Sequence, residues 1–206
     1  MTDVAKQQKF NIKGTTDLHL YGATDKSIEI TGAECVNIFI KDYCHLKHKD
    51  AIVFRDCKTV ILNGNEKLLV EGTIKFIGDT EYVLIDEIVS IGATNGVQME
   101  DGYVEYGTVC IVDCKIINPT LEGMILGDPY STRSQFDYLE ISGCAIKGAG
   151  REGVYIRGVH YGVIRDSDIK SNSIYDTVIS DNVTMAHNDT KFGTMSIHKN
   201  SVMKDE

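Results

Sequence analysis

The sequence has no tryptophan, only two prolines in 206 residues, and no apolar run longer than a few residues. Runs that short exclude a helical membrane span, which needs about 20 consecutive apolar residues. No stretch keeps apolar residues at i, i+3, i+4 and i+7 over three turns, so little helix is expected. Positive charge is also scarce: 21 Lys and Arg stand against 30 Asp and Glu, a net charge of -9. A nucleic-acid partner is therefore not expected, because such surfaces carry a basic stripe that neutralises phosphates. The opening MTDVAKQQKF lacks the apolar core of a signal peptide. Synthesis in the cytoplasm without a signal peptide is the expectation, and six cysteines there read as thiols rather than disulfides. GxSxG, P-loop, GxGxxG and HExxH patterns are missing as well. No catalytic residue, cofactor or metal site is assigned, and no membrane partner is expected.

What the chain does have is 19 glycines and many short β-rich runs, among them SIEI, NIFI, TVIL, YVLI, TVCI, YLEI and GVYI. Each is bounded by Gly, Asp or Asn, the punctuation of short strands and turns. The runs are periodic. Segments starting at Ser27, Asp50, Thr73, Gly96, Gly123, Gly153 and Asp176 share a turn residue, an alternating strand and a Gly/Asp turn, at intervals of 23, 23, 23, 27, 30 and 23 residues. A second register, Ile-x-x-(Cys/Ser/Asn)-x-(Ile/Val), recurs at Ile111, Ile141, Ile164 and Ile197. A repeat of this length built from short strands describes the turns of a solenoid. Seven turns stacked at the inter-strand spacing would make a rod of ~35 Å.

These two registers, from about Ser27 to Val202, resemble the right-handed parallel β-helix superfamily, the pectin-lyase-like fold. The resemblance implies an all-β, right-handed, single-stranded parallel β-helix of about seven coils. Residues 1–17 are expected to stand outside the repeat as an N-terminal cap, with residues 18–206 forming the β-helix domain. Period-two alternation predicts inward columns Ile28, Ala51, Ile74, Val97, Met124, Val154, Thr177 and Ile30, Val53, Phe76, Met99, Leu126, Ile156, Ile179 in the first strand. For the second strand it predicts Ile38, Val60, Val83, Val109, Leu139, Gly162, Met195 and Ile40, Leu62, Ile85, Ile111, Ile141, Ile164, Ile197.

Candidate chemistry is judged against this register. Cys110 and Cys114 look like a ligand pair, yet alternation places Cys110 outward and Cys114 in an inward ladder with Cys144, Ser167 and Asn200. Metal ligands must converge on one point, which this pair does not do. His45 and His48 lack a third ligand, and Asp113 and Asp166 read as turn residues with Gly143 between them. Loop lengths point elsewhere. Long connections after Asp128 and Asp181 flank a short one after Arg157, predicting a trough with Arg157 and Tyr155 on its floor and His160 and Tyr161 at the short turn. Asp128 and Asp181 are expected to stack below and above Arg157, an arrangement suited to a polysaccharide. The other candidate surface is apolar: Phe39, Ile52, Phe54, Ile61, Ile77, Leu84, Ile125, Val163 and Val178 are assigned outward positions, and contiguous stripes of that kind mark protein contact.

Two functional classes follow. The first is a non-catalytic structural or interaction protein that self-associates through the apolar stripes. The resemblance extends it to a phage particle component of tail-spike, fibre or decoration type, homotrimeric and in contact with other virion proteins. The alternative is a carbohydrate-active enzyme, a polysaccharide lyase or glycoside hydrolase, or a glycan-binding module centred on Arg157.

Overall fold

Each extended segment finds its partner about one turn of chain further on, and every pairing between described strands is parallel. The computed structural model describes residues 1–99, 105–128, 135–170, 172–175, 177–180, 183–186, 191–192, 195–198 and 202–204. They form an all-β parallel solenoid of about seven turns with a period of roughly 23 residues, and no helix occurs among them. The first turns are made of long strands that run round the corners, such as Lys9–Thr24 and Ile28–Leu46. Later turns break into short pieces, as in Tyr106–Val112 and Lys115–Ile117.

Three walls result. The first contains Asp50–Arg55, Thr73–Ile77, Val97–Met99, Met124–Leu126, Val154–Arg157 and Thr177–Ser180. The second contains Tyr106–Val112, Phe136–Ser142 and Val159–Arg165, and the third Lys115–Ile117, Ala145–Lys147 and Asp168–Lys170. Their inward residues stack rung on rung into one dry core. On the second wall, Leu62, Ile85, Ile111, Ile141 and Ile164 lie one above another, all fully buried. Aromatic rings repeat the device, with Phe54 over Phe76 at 4.9 Å and Tyr106 over Phe136 at 5.0 Å between centroids. Stacked β-branched and aromatic residues fill a pleated wall with few gaps, and each buried side chain of this size contributes about 1.5–3 kcal/mol.

The corner between second and third walls shows why Asp and Gly recur there. Glu87, Asp113, Gly143 and Asp166 all have φ between 50° and 63°. Asp tolerates that left-handed conformation better than most residues because its short side chain bonds locally, and Gly adopts it freely. A Cβ at Gly143 would also run into the Asp113 carboxylate. Asp113 and Asp166 are thus corner residues.

Several register expectations are corrected. An irregularity between Asp50 and Ile52 places Ile52, not Ala51, on the rung between Ile28 and Ile74. Phe54 accordingly follows Ile30 and precedes Phe76, so the two residues assigned outward, Ile52 and Phe54, are 0% and 1% exposed. Ile125 is also buried. On the second wall Val36, not Ile38, shares a rung with Val60, and Ile38 stacks on Leu62. Met195 and Ile197 pair with Thr177 and Ile179 of the first wall, while the second wall continues through Val183 and Met185.

The N-terminus differs from the expected cap of residues 1–17. Residues 9–17 belong to the strand Lys9–Thr24, which pairs along the strand that follows, with Phe10 against Ile30 and Asp17 against Asn37. Residues 1–8 cover the exposed end. Thr2–Asp3 pairs with Leu20 and Tyr21, Val4 is fully buried, and the Gln8 side-chain amide donates to the Val4 carbonyl at 2.6 Å. A short plug thereby hides apolar residues at an edge that would otherwise recruit other strands.

Candidate functional site

The outer surface of the second wall presents its side chains in three parallel columns. The first column runs through Cys35, Thr59, Tyr82, Thr108, Tyr138 and Tyr161, and the second through Asn37, Ile61, Leu84, Cys110, Glu140 and Val163. The third passes through Phe39, Asn63, Asp86, Val112, Ser142 and Arg165. Alternation along each strand turns these residues away from the core, and in-register stacking lines them up along the rod. Ile61, Leu84, Cys110 and Val163 are half-buried, and Phe39 is exposed. These outward positions were legible in the repeat.

A polar cluster lies further along this face. The Arg165 guanidinium donates to Glu140 Oε1 from Nε at 3.1 Å and from Nη2 at 2.6 Å. The Tyr138 hydroxyl donates to Glu140 Oε2 at 3.0 Å, and its ring stacks on Tyr161 with centroids 5.7 Å apart. Burial pushes the Glu140 carboxyl up, but the bonds from Arg165 and Tyr138 outweigh it and hold the carboxyl below its ordinary value. Tyr138 is pushed up to about 12, by burial first and then by its bond to the Glu140 carboxylate. Charge-assisted bonds of this kind fix a side chain's position more firmly than neutral ones. Sequence reasoning did not assemble this cluster. Its signal is a rung offset, since Arg165 stands opposite Ser142, two residues beyond Glu140 on the same outward side.

The Arg157 trough is only partly assembled. Tyr155 and Arg157 are half-buried on the outer first wall, with Tyr155 between Ile125 and Val178. His160 and Tyr161 are exposed at the adjoining strand. The rung of Arg157 is not Asp–Arg–Asp: Arg157 stands opposite Ser180, and its carbonyl closes against Gly127. Asp128 lies one residue past that rung, where its N–H donates to Gln135 Oε1 at 2.7 Å. Asp181 and much of both flanking loops lie outside the described residues. Of the remaining stripe residues, Ile77 and Val178 are half-buried on the first wall, away from the second-wall face.

The cysteines follow the register. Cys110 occupies the outward rung between Leu84 and Glu140. Cys114 and Cys144 are buried, their thiols donating to the carbonyls of Val112 at 3.1 Å and Ser142 at 3.3 Å. The Cys144 N–H donates to Ser167 Oγ at 3.1 Å, which places Ser167 in the same ladder; Asn200 lies outside the described residues. His45 and His48 diverge, the first reaching the Glu71 carboxylate at 2.6 Å and the second the Asp50 backbone. Among the described residues no group of three His, Cys, Asp or Glu side chains is placed to hold a metal ion. Comparison of the chain with protein-family profiles, curated proteins and solved structures finds no match.

Proposed function

We propose that the protein is a non-catalytic structural module, a rod that packs side by side against further copies of itself through the outer face of the second wall. The observation that supports this most directly is the half-exposed column of Ile61, Leu84 and Cys110, continued past the Arg165-bound Glu140 by Val163 and flanked by Tyr82, Tyr138 and Tyr161. Apolar area beside tyrosine and an arginine already held by a carboxylate matches the composition of association surfaces. Copies are the favoured occupant because a parallel solenoid presents the same column at every turn, so two rods can contact along their length. By analogy with the superfamily resemblance, the assembly is a homotrimer in a phage particle of tail-spike, fibre or decoration type. Native mass spectrometry and sedimentation test the association. Oligomer is expected for the unmodified chain and monomer for the Leu84→Arg, Val163→Arg double variant. A monomer of the unmodified chain at high micromolar concentration sinks the proposal.

The second reading is a glycan-binding or polysaccharide-cleaving surface around Arg157. It draws support from the half-buried Tyr155 and Arg157 beside exposed His160 and Tyr161. A glycan-array screen in which Arg157→Ala abolishes a signal would favour it, and no signal from the unmodified chain would end it.

A further inference from the structure

At the corner after the second wall near the N-terminal end, two adjacent turns carry more residues than the turns on either side of them. Residues 40–44 and 63–68 stand where residues 20–22 on one side and 86–88 on the other make shorter corners. The widened corners are held in shape. Lys67 Nζ donates to the Lys41 carbonyl at 3.2 Å, tying one to the other, and the Asn65 N–H donates to Asn63 Oδ1 at 2.9 Å. Asn65 and Glu66 both adopt left-handed backbone, with φ of 47° and 53°. Two consecutive non-glycine residues in that conformation are costly, and such strain concentrates where a wall must be shaped for a purpose.

Beside this wall runs an aromatic ladder. His19, Phe39 and Asn63 occupy successive outward rungs, and the rings of His19 and Phe39 stack with centroids 5.3 Å apart and planes 22° from parallel. Phe39 is 39% exposed. At the next rung the short Asn63 ends the ladder, its amide donating to Asp86 Oδ2 at 3.4 Å. Together Met1, His19, Phe39, Ile40, Lys41, Asn63 and Asn65 line a recess of about 560 Å³. That volume lies within the size range of small-molecule sites, and the recess is open on the outer face. In a chain of net charge -9, none of the side chains lining this recess is a carboxylate, and Lys41 brings a cation to its edge.

We infer that this recess binds a small planar aromatic anion, its ring stacked against Phe39 and its charged group at Lys41. A stacked ring tolerates many ring chemistries because every aromatic ligand offers a π face. The exposed Asn65 amide supplies donors and an acceptor for groups on the ring edge. Two sources share this chemistry, a nucleoside monophosphate and a free aromatic carboxylic acid. The recess is built within single copies but shares the second-wall face with the proposed contact between copies, so occupancy and self-association are read separately.

The test is titration of the full chain with adenosine monophosphate and with 4-hydroxybenzoate, using adenosine as the uncharged control. Binding is read by calorimetry and by amide NMR shifts, and the oligomeric mass is measured in the same samples. Saturable binding of an anion is expected, with shifts centred on residues 19, 39–41 and 63–65. Phe39→Ala should weaken it about tenfold or more, the usual loss on removing a stacking ring. Lys41→Met should bring adenosine monophosphate down to the affinity of adenosine. Tighter binding of the nucleotide assigns the first source, and tighter binding of 4-hydroxybenzoate the second. Three results each overturn the inference: no saturable binding of either anion at millimolar concentration, shifts centred elsewhere, or unaltered binding by a Phe39→Ala variant whose circular dichroism is unchanged.

Discussion

Replacing Phe54 with alanine removes a ring that is 1% exposed and stacked on Phe76 at 4.9 Å. Truncating a buried phenylalanine costs about 3–5 kcal/mol, counting lost transfer energy and the cavity left behind. The stacked partner adds roughly 0.5–1.5 kcal/mol. Phe39→Ala is the matched control, a phenylalanine on an outward rung with 39% of its surface in water. Its removal should cost about 1 kcal/mol or less, as surface substitutions generally do. Urea denaturation followed by circular dichroism, at concentrations low enough to keep the chain monomeric, measures both. With a slope near 3 kcal/mol per molar for a chain of this size, Phe54→Ala should lower the midpoint by roughly 1–2 M. Because each solenoid turn is coupled mainly to its neighbours, the loss can also separate an early transition of the N-terminal turns from the rest. Equal shifts for the two variants would refute the register that places Phe54 inside and Phe39 outside.

Two further predictions concern titration and thiol chemistry. Tyr138, held at about 12, should ionise well above ordinary tyrosine in a phenolate absorbance titration, and Glu140→Gln should lower its midpoint while burial keeps it above ordinary tyrosine. The folded state keeps the Tyr138 proton at pH values where the unfolded chain has lost it, so this group's contribution is complete below about pH 10 and declines as pH rises toward 12. For Glu140 the sign is opposite: its lowered value gives stability that is present above the ordinary carboxylate range and lost as pH falls through it. A Tyr138 midpoint left unaltered by Glu140→Gln would refute the Tyr138–Glu140 bond. In maleimide labelling read by mass spectrometry at concentrations that keep the chain monomeric, Cys35 and Cys110 should react in the folded protein, and Cys44, Cys57, Cys114 and Cys144 only after unfolding. Burial pushes the Cys44 thiol up to about 12, which suppresses the reactive thiolate further. Native labelling of Cys114 or Cys144 at the rate of Cys35 would contradict the inward ladder.

The repeat was legible because a solenoid writes its period into the chain: every turn must present apolar residues to the same core. Cys110 and Cys114 show how far this reaches, since alternation alone put the first outside and the second inside. The misreadings have one physical origin. An added residue between Asp50 and Ile52, or a strand that starts at Met195 on a different wall, flips or moves a column without changing its composition. Ala51, Ile52, Val53 and Phe54 are all apolar, so that stretch carries no alternation from which to read a face. For Arg157, counting from loop ends put Asp128 on its rung, whereas pairing through Leu126 and Ile156 gives Gly127.

The amino-acid sequence by itself determined the all-β architecture, the period and most inward columns, because burial of one face demands a pattern that survives in one dimension. Only the tertiary structure decided which residues meet across turns. The Glu140–Arg165–Tyr138 cluster joins residues from adjacent turns at unequal rungs, and the recess beside Phe39 is lined in part by residues of two widened corners. Local pairing energies that allow an extra residue at a corner leave no periodic trace, so such sites emerge only when the turns are stacked.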